Sequence, residues 1–145
     1  MNPDIMNDIK DTTGAALASG ERIATRFHFS SFIHSRSLNV IQPDIGICGG
    51  ITEARKISDM ADTSADIIKL AVMPESEKDV DYLLQTTKNV NISQPLITMS
   101  MGEIGKRSRI EGYEYGSEMT FAALDGTQGS APGQLTINEL LQAWQ

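Results

Sequence analysis

The sequence lacks several features that would assign it to a specialised class of protein. Its single cysteine, Cys48, cannot form an internal disulfide, so a disulfide-stabilised secreted scaffold is excluded. No apolar run approaches the ~20 residues that a membrane-spanning helix requires. The first residues, Met1-Asn2-Pro3-Asp4, also lack the charged start and apolar stretch of a secretory signal. These absences predict a cytoplasmic protein with no membrane partner.

Basic residues are scarce as well. The chain has 12 Lys and Arg against 19 Asp and Glu, a formal net charge of −7. Its Lys and Arg residues are scattered, so no basic surface is available to neutralise phosphates, and nucleic acid is not an expected partner. The length of 145 residues and the 40% hydrophobic content are ordinary for one globular domain.

Short apolar runs alternate with helical patterns along the chain, which is typical of βα units with a parallel sheet. The predicted strands are Ala15–Ser19, Asn39–Asp44, Asp66–Val72, Pro95–Met101 and Glu118–Leu124. A TIM barrel needs eight such units. The sequence therefore predicts the α/β class, with an incomplete TIM-barrel type of sheet of about five strands. Open sheet edges beside apolar side chains further predict a homo-oligomer, most simply a two-fold dimer.

Helices are predicted from caps and apolar spacing. Ser76 and Asp79 predict a capped start for a helix with a buried stripe of Val80, Leu83, Leu84 and Thr87. The Gly49-Gly50 turn, with Thr52 as a possible cap, predicts a helix to about Ala61. The remaining predicted helices are Asp4–Asp11, Thr25–Ser35, Gly105–Tyr113 and Ile137–Trp144. His28 and His34, on the second of these, are expected to be surface or packing residues.

Lys69 lies within an apolar strand, Asp-Ile-Ile-Lys-Leu-Ala-Val. A hydrated ammonium is costly there unless it lines a site, although a lysine can also extend past the end of a strand into water. The strand context alone does not decide between a functional lysine and one that reaches solvent. In an apolar pocket, desolvation favours the amine form, which can attack a ketone and form an imine.

Five motifs follow one another along residues 64–145. They are Ala65-Asp66-Ile67-Ile68-Lys69-Leu70-Ala71-Val72-Met73-Pro74, Ile97-Thr98-Met99-Ser100-Met101-Gly102, Ser108-Arg109-Ile110-Glu111-Gly112, Gly116-Ser117 with Thr120-Phe121, and Ser130-Ala131-Pro132-Gly133-Gln134. In residues and in order, this segment resembles type I 3-dehydroquinate dehydratases. The resemblance implies that Lys69 forms an imine with the C3 ketone of 3-dehydroquinate. It also implies that Arg109 pairs with the substrate carboxylate, and that Ser130 and Gln134 contact substrate from a covering loop. Without the resemblance, Arg109 reads as a solvated helix charge and the loop as a turn.

Residues 14–61 contain three other distinctive segments, Ala18-Ser19-Gly20-Glu21-Arg22, Asn39-Val40-Ile41-Gln42-Pro43-Asp44-Ile45-Gly46 and Gly49-Gly50-Ile51-Thr52-Glu53-Ala54-Arg55-Lys56-Ile57. They resemble a different family, the sugar-acid dehydratases of the enolase superfamily. This resemblance implies that Glu21 is one of three Mg²⁺-binding carboxylates and that Asp44 orients a histidine on the next strand. The other two ligands and that histidine strand are absent, so neither a metal nor a cofactor is predicted.

The sequence thus indicates a chimera of two barrel families, with residues 1–63 of one kind and 64–145 of the other, joined around Asp59–Ser64. An Asn-His-Asp-Phe-like motif, which supplies the catalytic histidine of the dehydroquinate family, is missing. Asp44 falls in the place of that histidine, where it could act as a weak base or simply accept backbone N–H groups. The segment Asp125–Gly129 looks longer than the family's usual loop.

The leading hypothesis is therefore an impaired carbon–oxygen lyase that takes a small-molecule carboxylate substrate. A non-catalytic barrel fragment that self-associates and a sugar-acid dehydratase are the alternatives.

Overall fold

The computed structural model describes residues 1–62, 64–125, 127 and 129–145. The helices are α1 (Pro3–Thr13), α2 (Thr25–His34), α3 (Ile45–Cys48), α4 (Ile51–Ala61), α5 (Glu77–Asn89), α6 (Gly102–Glu111) and α7 (Ile137–Ala143), with a 3₁₀ turn at Gly112–Tyr115. The strands are β1 (Ala18–Ser19), β2 (Val40–Ile41), β3 (Ile67–Val72) and β4 (Leu96–Ser100). Within these described ranges, no helix is long and apolar enough to cross a membrane.

The strands form one sheet in the order β1-β2-β3-β4. The pairing is parallel from β1 to β2 and from β2 to β3, with Ile41 beside both Ser19 and Ile68. Because each strand is connected to the next through a helix, the predicted α/β class with parallel βα units is confirmed.

The first two strands are shorter than predicted, with two residues each. The Leu17 N–H donates to the Asn39 side-chain oxygen at 3.0 Å, so a side chain takes the place of a ladder carbonyl where the strands begin. Beyond Gln42, Pro43 has no N–H with which to continue the ladder.

The predicted fifth strand, Glu118–Leu124, is not formed; of its residues, all of them described, only Ala123 makes a bridge, to Thr136. The Glu118 N–H does donate to the Leu96 carbonyl at 2.8 Å. The next ladder position is filled by a side chain, because the Thr98 N–H donates to Ser117 Oγ at 3.0 Å. Because the Ser117 hydroxyl accepts the hydrogen bond from the Thr98 N–H, no backbone carbonyl does so, and the backbone pairing with β4 stops after the Glu118–Leu96 bond.

The predicted helices are all present. In α5 the Asp79 carboxylate accepts from the Ser76 N–H at 2.8 Å, and the stripe Val80, Leu83, Leu84 and Thr87 is buried, which confirms both the cap and the packing face. Thr52 as a cap is wrong: Gly50 precedes α4 and Thr52 lies inside it. The short helix α3 was not predicted. Of the long segment Asp125–Gly129, Gly126 and Gln128 lie outside the described residues.

The chain divides into two compact units: Met1–Leu70 with Ile92–Pro95, and Ala71–Asn91 with Leu96–Gln145. In the first unit the core includes Phe29, Phe32, Ile33, Leu38, Ile41, Ala54, Ile57, Ala61 and Ile68. In the second it consists of Val80, Leu83, Leu84, Leu96, Ile97, Met99, Ala123, Leu135 and Leu140. The boundary between 1–63 and 64–145, which rests on family resemblance, stays a prediction.

Candidate active site

Lys69 and Asp44 belong to the first unit, and Arg109, Ser130 and Gln134 belong to the second. Lys69 is half-buried on β3, between the buried side chains of Ile68 and Leu70. Its Nζ donates to Gln42 Oε1 at 3.4 Å. Alternation along the strand accounts for this placement, since successive side chains point to opposite faces of a sheet.

Asp44 lies at the end of β2, immediately before α3. Its Oδ1 accepts from the Gly46 N–H at 2.8 Å and from the Ile47 N–H at 3.1 Å. This carboxylate therefore stabilises the start of α3, which is the non-catalytic role that the sequence left open. A catalytic role for Asp44 stays a prediction.

Gln42 is the residue of this site that the sequence analysis missed. Its Oε1 accepts from Lys69, and its Nε2 donates to Glu21 Oε2 at 3.2 Å. The signal was available in the strand alignment: because Ile41 lies beside Ile68, the next residues of the two parallel strands, Gln42 and Lys69, are neighbours.

Glu21 does not fit an enolase-type magnesium site. Its carboxylate accepts a hydrogen bond from an uncharged amide, and its pKa is lowered chiefly by its own backbone N–H and also by Gln42. Across the ranges that the structure describes, no three Asp, Glu, His or Cys side chains come together as metal ligands. One carboxylate does not hold Mg²⁺ in a protein site without strong help from substrate oxygens.

Arg109, in the second unit, is a charged residue that is almost completely buried, with only 3% of its surface exposed. Its Nη1 lies 3.5 Å from the Phe121 carbonyl oxygen and 3.6 Å from Met99 Sδ. Within the described part of the chain, neither Nε nor Nη2 has a hydrogen-bond partner. Burial lowers the pKa of this guanidinium, yet arginine remains a cation in proteins.

A cavity of about 380 Å³ adjoins Arg109. Its wall includes Tyr113, Met119, Thr120 and Trp144. The Tyr113 and Trp144 rings meet edge to face, with centroids 6.1 Å apart. The Thr120 Oγ1 is buried and, like the two guanidinium nitrogens, has no partner among the described residues. A buried cation and a hydroxyl beside apolar walls can hold an anionic group whose remaining surface is apolar.

Ser130 and Gln134 are brought together in the second unit. Gln134 Oε1 accepts from the Ser130 N–H at 2.6 Å and from Ser130 Oγ at 3.0 Å. The Gly102 N–H donates to the Pro132 carbonyl at 2.9 Å, so the loop rests on the start of α6. A second cavity of about 370 Å³ is lined by this loop together with Glu103, Lys106 and Glu139.

The histidines are confirmed as surface residues of α2. His28 Nδ1 lies 2.7 Å from the Ala24 carbonyl oxygen, and His34 Nδ1 lies 2.7 Å from that of Ser30. Both side chains are thus occupied by contacts within one helix.

Parallel βα units place the chain in the α/β class, with the kind of unit from which TIM barrels are built. A sequence model of the family described as Type I 3-dehydroquinase matches residues 53–145, and one described as Enolase C-terminal domain-like matches residues 1–82. The chain belongs to both families, each through more than half of its sequence, and the two matches overlap at 53–82. A chimera of two barrel families is consistent with these matches.

The chain is 46% identical over 90 residues to 3-dehydroquinate dehydratase of Neisseria gonorrhoeae strain NCCP11945, a match that covers 61% of this chain and 35% of that protein. It therefore spans about a third of the length of the curated relatives it matches.

Solved structures resemble the chain in the same two ways. The 3-dehydroquinate dehydratase from Geobacillus kaustophilus HTA426 gives a TM-score of 0.53 at 27% identity, over 82% of this chain and 57% of that one. An enolase superfamily member from Salmonella Typhimurium gives 0.57 at 27% identity, over 98% of this chain and 36% of that one.

Proposed function

We propose that the chain is a carbon–oxygen lyase that acts on 3-dehydroquinate through an imine on Lys69. The observation that carries this proposal is Arg109, a buried cation on the wall of a cavity. Two of its guanidinium nitrogens have no hydrogen-bond partner among the described residues. A carboxylate bound in this cavity would compensate the Arg109 charge. Imine formation requires a ketone, so the proposed substrate class is a small-molecule carboxylate that also carries a ketone.

The chemistry follows from an amine and a ketone. Lys69 Nζ attacks the C3 carbonyl, and loss of water gives a protonated imine. This imine withdraws electrons, so the C2 proton becomes acidic; its removal is followed by loss of hydroxide as water from C1. Hydrolysis of the imine returns Lys69 and releases 3-dehydroshikimate. The net reaction is the loss of one water, and no metal or redox cofactor is required by this balance.

Turnover is proposed to be slow, since the chain lacks the motif that supplies the family's catalytic histidine. Asp44 is the proposed weak base at C2. Its Oδ1 already caps α3, so Asp44→Asn separates the two roles: asparagine keeps the capping acceptor but cannot take a proton.

A second copy of the chain is the proposed protein partner. The segment 118–124, which does not form the predicted strand, exposes Met119, Phe121 and Leu124, which are 47%, 44% and 67% exposed. Burial of these side chains against a second copy would remove apolar surface from water.

Borohydride trapping tests the catalytic proposal. The protein is incubated with 3-dehydroquinate, reduced, and measured by intact mass and peptide mapping. We expect one adduct, on Lys69. Lys69→Ala should abolish it, whereas the control Lys56→Ala, an exposed lysine on α4, should not. Equal labelling of Lys69→Ala and the native chain, or no adduct at all, would refute the imine.

A further inference from the structure

Glu21, Gln42 and Lys69 form a continuous row of side chains in the first unit. Lys69 Nζ donates to Gln42 Oε1 at 3.4 Å, and Gln42 Nε2 donates to Glu21 Oε2 at 3.2 Å. The three residues come from consecutive βα units: Glu21 lies just after β1, Gln42 directly follows β2, and Lys69 lies within β3. Glu21 and Gln42 lie in the enolase-like sequence, and Lys69 lies in the dehydroquinase motif.

The order of donors and acceptors fixes the orientation of the amide. A carboxylate is an acceptor only, whereas a primary amide has a donor end and an acceptor end. Glu21 therefore selects the orientation in which the Gln42 NH₂ faces Glu21 and the amide oxygen faces Lys69. The hydrogen bond from Lys69 Nζ to that oxygen then restricts the orientation of the Lys69 amine.

The acceptor that Gln42 offers to Lys69 is neutral. An opposite charge within ~4–6 Å favours the ammonium form of lysine, which cannot attack a ketone. With Gln42 in between, the Glu21 charge is one side chain further away. The pKa of Glu21 is itself lowered, by its own backbone N–H first and by Gln42 and Arg22 as well, so the carboxylate is ionised at neutral pH and available as the acceptor.

We propose that Gln42 is a positioning residue for the Lys69 amine and that Glu21 sets its orientation. The effect of this arrangement on catalysis depends on the imine chemistry proposed above. The arrangement itself is a property of the free chain and can be measured without substrate.

The test uses the full chain with the variants Gln42→Met, Gln42→Glu, Glu21→Gln and Glu21→Gln/Gln42→Met. Acetic anhydride at limiting concentration, followed by peptide mass mapping, gives the acylation rate of Lys69 as a function of pH. The midpoint reports the pKa of Lys69. Borohydride trapping with 3-dehydroquinate gives the rate of imine formation in parallel.

We expect Gln42→Glu to raise the Lys69 midpoint by about one pH unit, because a carboxylate replaces the neutral acceptor. At neutral pH its imine rate should fall about tenfold, in step with the lost amine fraction. Gln42→Met should instead reduce the rate at high pH, where Lys69 is already the amine, since the alignment of the amine is lost. The control Gln85→Met, an exposed residue of α5, should match the native chain in both measurements.

The double variant separates orientation from a long-range charge effect. If Glu21 acts through Gln42, Glu21→Gln changes Lys69 reactivity in the native chain and has no effect in the Gln42→Met background. An equal effect in both backgrounds would overturn the role of Glu21. The whole inference would be overturned if the Gln42 variants still form the borohydride-trapped adduct and show the native acylation midpoint and native rates at Lys69. If the acylation midpoint of Lys69 shifts as predicted but no adduct with 3-dehydroquinate is trapped, the imine is refuted and the positioning role of Gln42 is still supported.

Discussion

Gly133 packs directly against the Gly102 backbone, so closely that a Cβ atom at Gly133 would overlap the Gly102 carbonyl group. Gly133 also has a φ of +70°, in the left-handed region that glycine adopts readily. The loop that carries Ser130 and Gln134 therefore rests on the start of α6 only because residue 133 has no side chain.

Gly133→Ala is predicted to displace this loop. The Gly102 N–H, which donates to the Pro132 carbonyl, should lose its protection, and its hydrogen-exchange rate should rise at least tenfold. Gly116→Ala is the matched control, because Gly116 also has a positive φ, +97°, but open space around it. Unchanged exchange at Gly102 in Gly133→Ala would contradict the proposed contact.

Arg109→Ala is predicted to weaken binding of 3-dehydroquinate by roughly 10- to 100-fold, since a charge-assisted hydrogen bond contributes about 1.5–3 kcal/mol. Arg107→Ala is the control: Arg107 lies two residues earlier on α6 and pairs with Glu77, Asp81 and Glu111 at the surface. Isothermal titration calorimetry measures both. A large drop in melting temperature with unchanged affinity for Arg109→Ala would make Arg109 a structural residue.

Magnesium is predicted to leave the melting temperature and the trapping yield unchanged up to millimolar concentrations. Glu21 alone gives the ion too few carboxylate ligands, and a ligand that does not bind the native state cannot stabilise it. Differential scanning fluorimetry of the native chain and of Glu21→Gln should give the same flat response. Stabilisation by Mg²⁺ that Glu21→Gln removes would restore the enolase-type site.

Self-association is predicted to make the melting temperature rise with protein concentration, because folding and assembly are then linked. Leu124→Lys should lower the sedimentation coefficient towards that of a monomer, since it places a charge in the exposed apolar segment. Tyr82→Lys, at a residue of α5 that is 61% exposed, is the control and should still associate. A compact native monomer with a concentration-independent melt would refute the second-copy proposal.

The parts of the fold that were predictable from sequence are those set by local patterns. The apolar stripe of α5 and its Ser76–Asp79 cap follow from spacing alone, and β3 and β4 are read from buried runs. The predicted fifth strand failed because Ser117 takes the Thr98 N–H, and a pairing of that kind depends on residues about 20 positions apart.

The candidate site divides in the same way. Lys69 and Arg109 were found because they lie inside specific motifs. Gln42 was missed because its importance comes from strand register, which no single motif contains. The burial of Arg109 was also not predictable, since a helix charge is ordinarily solvated and only the tertiary fold removes it from water.

The indole of Trp144, which donates to the Ile110 carbonyl at 2.9 Å, forms part of the wall of the Arg109 cavity. It is the only tryptophan in the chain. The protein thus carries a built-in optical reporter: with excitation selective for tryptophan, its fluorescence comes from a single indole in the wall of the proposed carboxylate site. Any ligand that enters the cavity displaces water from that ring, so occupancy can be followed by emission wavelength without a label and independently of turnover.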